Sequence, residues 1–189
     1  MDQAYGMTMD KNHNIFITGI TESYDFPVTK GAYDTNIHGS GDGFIAKLNS
    51  TGTALSFSTF IGGNDNDSPK DIVLDTFQNV FITGYTSSFD YPTTQGAFDQ
   101  NHDTNYFYDA FISKLNSTGN SLLASTLIGG GNYDYSSTID LDREGNVYIG
   151  GTTRSRNFPV TPDAFYKSFI DSTDIFISKF YPDLSFLMY

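Results

Sequence analysis

Asn79-Val-Phe-Ile-Thr-Gly-Tyr-Thr86 decides the fold, because the chain writes this stretch three times. Asn14-Ile-Phe-Ile-Thr-Gly-Ile-Thr21 comes before it and Asn146-Val-Tyr-Ile-Gly-Gly-Thr-Thr153 after it. A second segment follows each copy: Asp42-Gly-Phe-Ile-Ala-Lys-Leu48, Asp109-Ala-Phe-Ile-Ser-Lys-Leu115 and Asp174-Ile-Phe-Ile-Ser-Lys-Phe180. Gly19, Gly84 and Gly151 are 65 and 67 residues apart, and Asp42, Asp109 and Asp174 are 67 and 65 apart. A fixed period marks stacked units, each burying apolar faces against its neighbours. The units run 1–63, 64–130 and 131–189 and form a single array, with no linker-like stretch between them.

The second unit shows the internal plan. Asp71-Ile-Val-Leu-Asp75 is a short apolar run, and the strand after Asn79 is β-branched and aromatic. Asp109 opens a third strand, Ser117-Thr118-Gly119 is a tight turn, and Leu122 opens a fourth strand that runs into Gly129-Gly130. Strands of about five to eight residues bounded by Gly, Asn, Asp and Pro are expected from such signals. The strands are apolar on both faces: Phe44, Ala46 and Leu48 share one side and Ile45 takes the other. A sheet with one wet face alternates more cleanly, whereas a sheet stacked between two neighbours is apolar on both sides. Gly19, Gly84 and Gly151 fall inside strands, where glycine signals a bulge or a close backbone approach. The expectation is an all-β protein: a β-propeller of about three four-stranded antiparallel blades, partial or open.

Composition agrees. The acidic residues are 20 Asp against only Glu22 and Glu144, and there are 18 Gly. Glu suits helix interiors, whereas Asp and Gly suit tight turns. Aromatic content of 16% supplies a core. The net charge of −12 and ten scattered basic residues argue against nucleic-acid partners. Without cysteine there is no disulfide and no thiolate metal site. No apolar run reaches the ~18 residues of a membrane span, so membrane insertion is not expected.

The ordered set Gly84-Tyr-Thr86, Phe26-Pro-Val-Thr29, Tyr91-Pro-Thr-Thr94, Asp109-Ala-Phe-Ile-Ser-Lys-Leu-Asn116 and Ser125-Thr-Leu-Ile-Gly-Gly130 resembles the SBBP repeat, a bacterial family named for seven-bladed β-propellers. The resemblance covers nearly the whole chain. It implies a propeller on exported or cell-surface bacterial proteins, and it implies no defined enzyme activity. Asp2, Asp67 and Asp134 stand in register, and Phe186–Tyr189 align with Ala54–Phe57. Because closed propellers have about four blades or more, the expectation is a fragment of a longer array, or a chain that closes with other copies of itself.

Several clusters carry candidate chemistry. Asp10, Asn12 and Asn14 have the spacing that opens a calcium loop, but Ile15 replaces the glycine and no glutamate follows. A strand-to-strand turn explains this segment together with Asp75–Asn79 and Asp142–Asn146, and calcium remains the alternative; no other cofactor is expected. Asp42, Asp109 and Asp174 recur in every unit, which suits capping of the preceding loop better than catalysis. Lys47, Lys114 and Lys179 read as edge charges that discourage strand pairing. Asn64-Asp65-Asn66-Asp67 reads as a solvated loop, and His13, His38 and His102 as surface loop residues. Tyr33, Phe98 and Phe165 are expected to pack over the blade ends. Tyr106-Phe107-Tyr108 has no counterpart in the other units, and exposed rings there suit a protein or glycan partner. The functional expectation is a non-enzymatic scaffold making protein or carbohydrate contacts through its loops. The alternative is a lyase- or glycosidase-like propeller enzyme with carboxylates at the central mouth.

Overall fold

The computed structural model describes residues 1–102 and 107–189, in which every regular element is a strand. The first sheet holds β1 (Asp2–Met9), β2 (Ile15–Thr21), β3 (Asp42–Leu48) and β4 (Leu55–Ile61). The second holds β5 (Asp67–Leu74), β6 (Val80–Thr86), β7 (Asp109–Leu115) and β8 (Leu122–Ile128). The third holds β9 (Asp134–Leu141), β10 (Val147–Thr153) and β11 (Asp174–Phe180). Each sheet is an antiparallel meander in chain order, and none closes on itself. The third sheet corrects the expectation of four strands per unit. Leu187 bridges Phe180 and Lys179 bonds to Met188 and Tyr189 through the backbone, which is too short a pairing to make a strand.

The inner strand also begins earlier than its apolar run suggests, at Asp67 rather than Asp71. Pro69 is tolerated there because β5 is an edge of its own sheet and needs no N–H on that side. Each inner strand carries a bulge that leaves one residue without a cross-strand partner: Tyr5 in β1, Lys70 in β5 and Ser137 in β9. The bulges face the strand glycines. A Cβ on Gly19, Gly84 or Gly151 would lie 1.9, 2.1 or 1.9 Å from the carbonyl oxygen of Gln3, Ser68 or Tyr135. This is the close approach that a glycine inside a strand implies.

Two apolar layers hold the sheets together. Phe16, Ile45, Phe57 and Ile61 of the first sheet pack with Ile72, Ile82 and Phe111 of the second. On its other side the second sheet gives Phe81, Ala110, Ile112 and Ile128 to a cluster with Ile139, Ile149, Phe176 and Phe180 of the third. Each large side chain so buried contributes about 1.5–3 kcal/mol. The two layers fill one position in opposite ways. Phe57 lies against Gly119 in the first, whereas its counterpart Ala124 shares the second with the wholly buried Leu184, which stands where Gly119 would. β1 packs on β5 and β5 on β9, so the first strands surround the axis and β4 and β8 lie outside. The long loops cover those outer edges. Thr29 and Asp34 bond to β4, and Thr94 and Asp99 bond to β8. An exposed strand edge invites pairing with other chains, and this cover blunts it.

Candidate functional site

The recurring carboxylates are structural joints. Asp10 Oδ1 accepts the backbone N–H groups of Asn12 and Asn14, both at 2.9 Å, and Oδ2 accepts the Asn14 amide at 2.8 Å. Lys47 Nζ stands 3.5 Å from the same carboxylate and 4.7 Å from the Phe16 ring centroid. Lys114 repeats this with Asp75 and Phe81, and Lys179 with Asp142 and Tyr148. These lysines are therefore not edge guards: they sit on the third strand and tie it to the turn between the first two. Burial works against the Asp142 charge, but Asn146 and Lys179 outweigh it and hold the carboxyl well below the usual range. His13 and Gln78 take left-handed backbone in these turns, at φ 62° and 65°, where the third copy has Gly145.

A second joint lies between the sheets. Asp67 is wholly buried, which corrects its reading as part of a solvated loop. It accepts Thr86 Oγ1 at 2.5 Å, the Gly63 N–H at 2.8 Å and Ser88 Oγ at 2.9 Å. Burial pushes its carboxyl up to about 7, against the pull of these three donors. Asp134 repeats the clasp with Gly130 and Ser155, and Asp2 repeats part of it with Thr21. Asp42 accepts the His38 and Gly39 N–H groups, and Asp174 that of Ile170, as the capping reading requires. His102 departs from its reading as a surface residue. It is 3% exposed, donates from Nε2 to the Thr86 carbonyl at 3.1 Å, and places Nδ1 3.7 Å from Asp109. It pins the long loop of the second unit to β6 and β7. Tyr33 and Phe98 pack against the two core layers as expected, but Phe165 is 97% exposed because its loop meets no neighbouring sheet.

The unrepeated chemistry gathers elsewhere. Antiparallel pairing brings the starts of β5, β7 and β9 and the ends of β6 and β10 to one end of the sheets. Phe107 and Tyr108 lie there, half-buried, just before β7; Tyr106 lies outside the described residues. Tyr108 meets Tyr85 edge-on at 5.1 Å, and Tyr85 meets Tyr135 at 4.9 Å and 90°. Phe107 meets Tyr133 edge-on at 4.8 Å, and Tyr133 lies parallel to Tyr135 at 5.9 Å. Two cations flank the rings. The bulge aims Lys70 so that Nζ is 3.4 Å from the Tyr5 centroid and 5.0 Å from that of Tyr85, while Arg154 stands 5.9 Å from Tyr133. Burial lowers the Lys70 ammonium and raises the Tyr108 and Tyr135 hydroxyls, so these phenols are uncharged at neutral pH.

Sequence reasoning found Phe107 and Tyr108 but missed Tyr85, Tyr133, Tyr135, Lys70 and Arg154. The available signal was disagreement between copies: Tyr85 aligns with Ile20 and Thr152, Tyr133 with Met1 and Asn66, and Arg154 with Glu22 and Ser87. Among the described residues no three His, Asp or Glu side chains converge in a way that could hold a metal ion, and no helix is long and apolar enough to cross a membrane.

Three meander sheets stacked face to face about their first strands define an open, partial β-propeller built from repeats. The SBBP family, described as a beta-propeller repeat, matches residues 57–92 and 125–159, so these two segments are similar to that repeat. Each match runs from the fourth strand of one sheet through the clasp into the first two strands of the next. No curated protein matches the chain.

Proposed function

We propose that this protein is a non-enzymatic propeller-repeat scaffold of an exported or cell-surface bacterial protein, and that it engages a protein partner through the aromatic rim. The observation that carries this reading is the concentration of Tyr85, Phe107, Tyr108, Tyr133 and Tyr135, with Lys70 and Arg154, at one end of the sheets. Tyrosine and arginine are the side chains that dominate protein interfaces, since a rigid ring with a polar tip gives contact area at small entropic cost. A protein is favoured over a glycan because several of the rings spend their faces on one another, edge against face, which leaves few flat platforms for a sugar. The open outer faces of the first and third sheets suit further blades, whether of a longer chain or of other copies.

A peptide-display selection tests the rim. Peptides enriched on the wild type are expected to lose at least about tenfold in affinity on Tyr85→Ala and Tyr133→Ala. Equal binding by those variants, or binding confined to a glycan array, contradicts the reading. The same reading makes Asp10, Asn12 and Asn14 a turn without calcium, so added calcium is expected to leave the melting temperature unchanged; a rise that Asp10→Asn abolishes would overturn this.

A further inference from the structure

We propose that the protein segment taken by the aromatic rim is acidic, an extended stretch that sets one carboxylate against Lys70 and another against Arg154. The inference rests on the rim being a partner site and adds the charge of what it takes.

Its basis is a contrast among the cations. Lys47, Lys114 and Lys179 recur in every unit, and each stands within 3.5 Å of an aspartate of its own sheet. Lys70 and Arg154 do not recur. Tyr5 and Ser137 hold the first position in the other units, and Glu22 and Ser87 hold the second. Among the described residues neither Lys70 nor Arg154 makes an ion pair. Lys70 is the more demanding case, because the β5 bulge sets it between the Tyr5 and Tyr85 rings, partly buried. Ring faces offset part of the cost of removing an ammonium from water, but burial still weakens its charge. A carboxylate brought to Nζ would reverse that.

The protein's own carboxylates leave this place open. Asp71, next in the chain, accepts the Ile72 N–H at 2.9 Å and the Ile139 N–H at 3.0 Å. Asp67 and Asp134 are committed to the clasps. Asp65 is the exception: it is exposed, and after burial and the Tyr85 and Tyr133 hydroxyls it too raises the Tyr108 hydroxyl. The net charge of −12 opposes an acidic partner at long range, but salt at 0.1 M screens charges beyond about 10 Å.

The rings add donors suited to the same partner. The Tyr85, Tyr108, Tyr133 and Tyr135 hydroxyls bond to no group among the described residues, and none is buried away from solvent. A neutral phenol donates its O–H to a carboxylate. The contacts run in the order Lys70, Tyr85, Tyr135, Tyr133, Arg154, so the two cations stand at opposite ends of the row. That order fits an extended segment with carboxylates at separated positions.

The test is selection from three displayed peptide libraries that share an uncharged random core and differ only in the two flanking residues, both Glu, both Gln or both Lys. Fluorescence anisotropy of the fluorescein-labelled winners then gives affinities. Selection on the wild type is expected to enrich peptides from the Glu library and none from the Lys library. Their affinity should fall about tenfold in Lys70→Gln and less in Arg154→Gln, because Lys70 is partly desolvated and Arg154 is exposed. Lys70→Arg, which keeps the charge, should retain most of the affinity, and Asp65→Asn should bind more tightly. The Arg154 and Asp65 side chains are exposed, so those two variants decide the matter even if Lys70→Gln fails to fold. Enrichment from the Gln or Lys library, with binding lost in Tyr85→Ala and Tyr133→Ala but unchanged in Lys70→Gln and Arg154→Gln, would overturn this inference and leave the rim as a partner site. Absence of any peptide that depends on Tyr85 and Tyr133 would overturn both.

Discussion

β7 and β11 are nearly the same strand in different surroundings. Asp109-Ala-Phe-Ile-Ser-Lys-Leu115 is almost entirely buried, whereas Asp174-Ile-Phe-Ile-Ser-Lys-Phe180 alternates sharply. Ile112 is 0% exposed and its counterpart Ile177 is 67% exposed. Phe111 and Phe176 are both buried, because each faces the preceding sheet. Burial in this protein is set by which side of a sheet has a neighbour, and much less by the residue itself. The second sheet is packed on two faces and along its outer edge. The third is packed on one face only.

The largest expected effect separates those two environments directly. Ile112→Asp should cost more than about 4 kcal/mol in urea unfolding, because a charge enters a closed apolar layer, while Ile177→Asp should stay within about 0.5 kcal/mol. Equal costs would mean that the outer face of the third sheet is covered after all. Next in size, Leu184→Ala should cost about 2–4 kcal/mol by leaving a cavity beside Ala124. Its left-handed φ of 59° is a strain that burial outweighs. Gly119→Ala probes the same position in the other layer, where the new Cβ would come 2.3 Å from the Phe57 ring; about 2 kcal/mol is expected from that overlap and the φ of 67°. Gly52→Ala meets nothing within 4 Å and should cost only the roughly 1 kcal/mol of left-handed backbone. Reversal of the last two would refute the size exchange between layers.

A further effect is in pH. Burial raises Asp67 from 3.8 to about 7, so the folded state holds a proton that the unfolded chain releases. Its stabilising contribution is present below the unfolded value and is lost as pH rises towards 7. Asp142 has the opposite sign: held low by Asn146 and Lys179, it stabilises above the ordinary carboxylate range and weakens on acidification. Asp67→Asn should therefore flatten the decline in unfolding free energy between about pH 4 and 7. An unchanged slope would mean that Asp67 keeps its charge within the clasp.

Much of the architecture was legible because the period placed Asp, Gly and Lys at fixed stations, and each station proved to be a joint. Asp10 caps a turn, Gly19 admits a bulge and Asp42 holds a loop. What escaped the reading has physical causes. The start of β5 was hidden because Asp67-Ser68-Pro69 is polar or strand-breaking, yet a buried clasp and a free sheet edge accommodate it. His102 looked like a loop residue, but only the folded loop brings it under Thr86 and Asp109. The rim was half visible. Phe107 and Tyr108 stand out as an unrepeated pair, whereas Tyr85 and Tyr135 are 50 residues apart and meet only when the second and third sheets stack.

Hydrogen exchange tests the central claim most directly, by comparing peptides that cover β7 (Asp109–Leu115) with those that cover β11 (Asp174–Phe180) in the same molecule. The account predicts that β7 exchanges only through global unfolding and that β11 exchanges about a hundredfold faster through local opening, since its outer edge is paired only at Lys179 and Phe180 and it lacks one covering sheet. Equal protection of the two strands would contradict it.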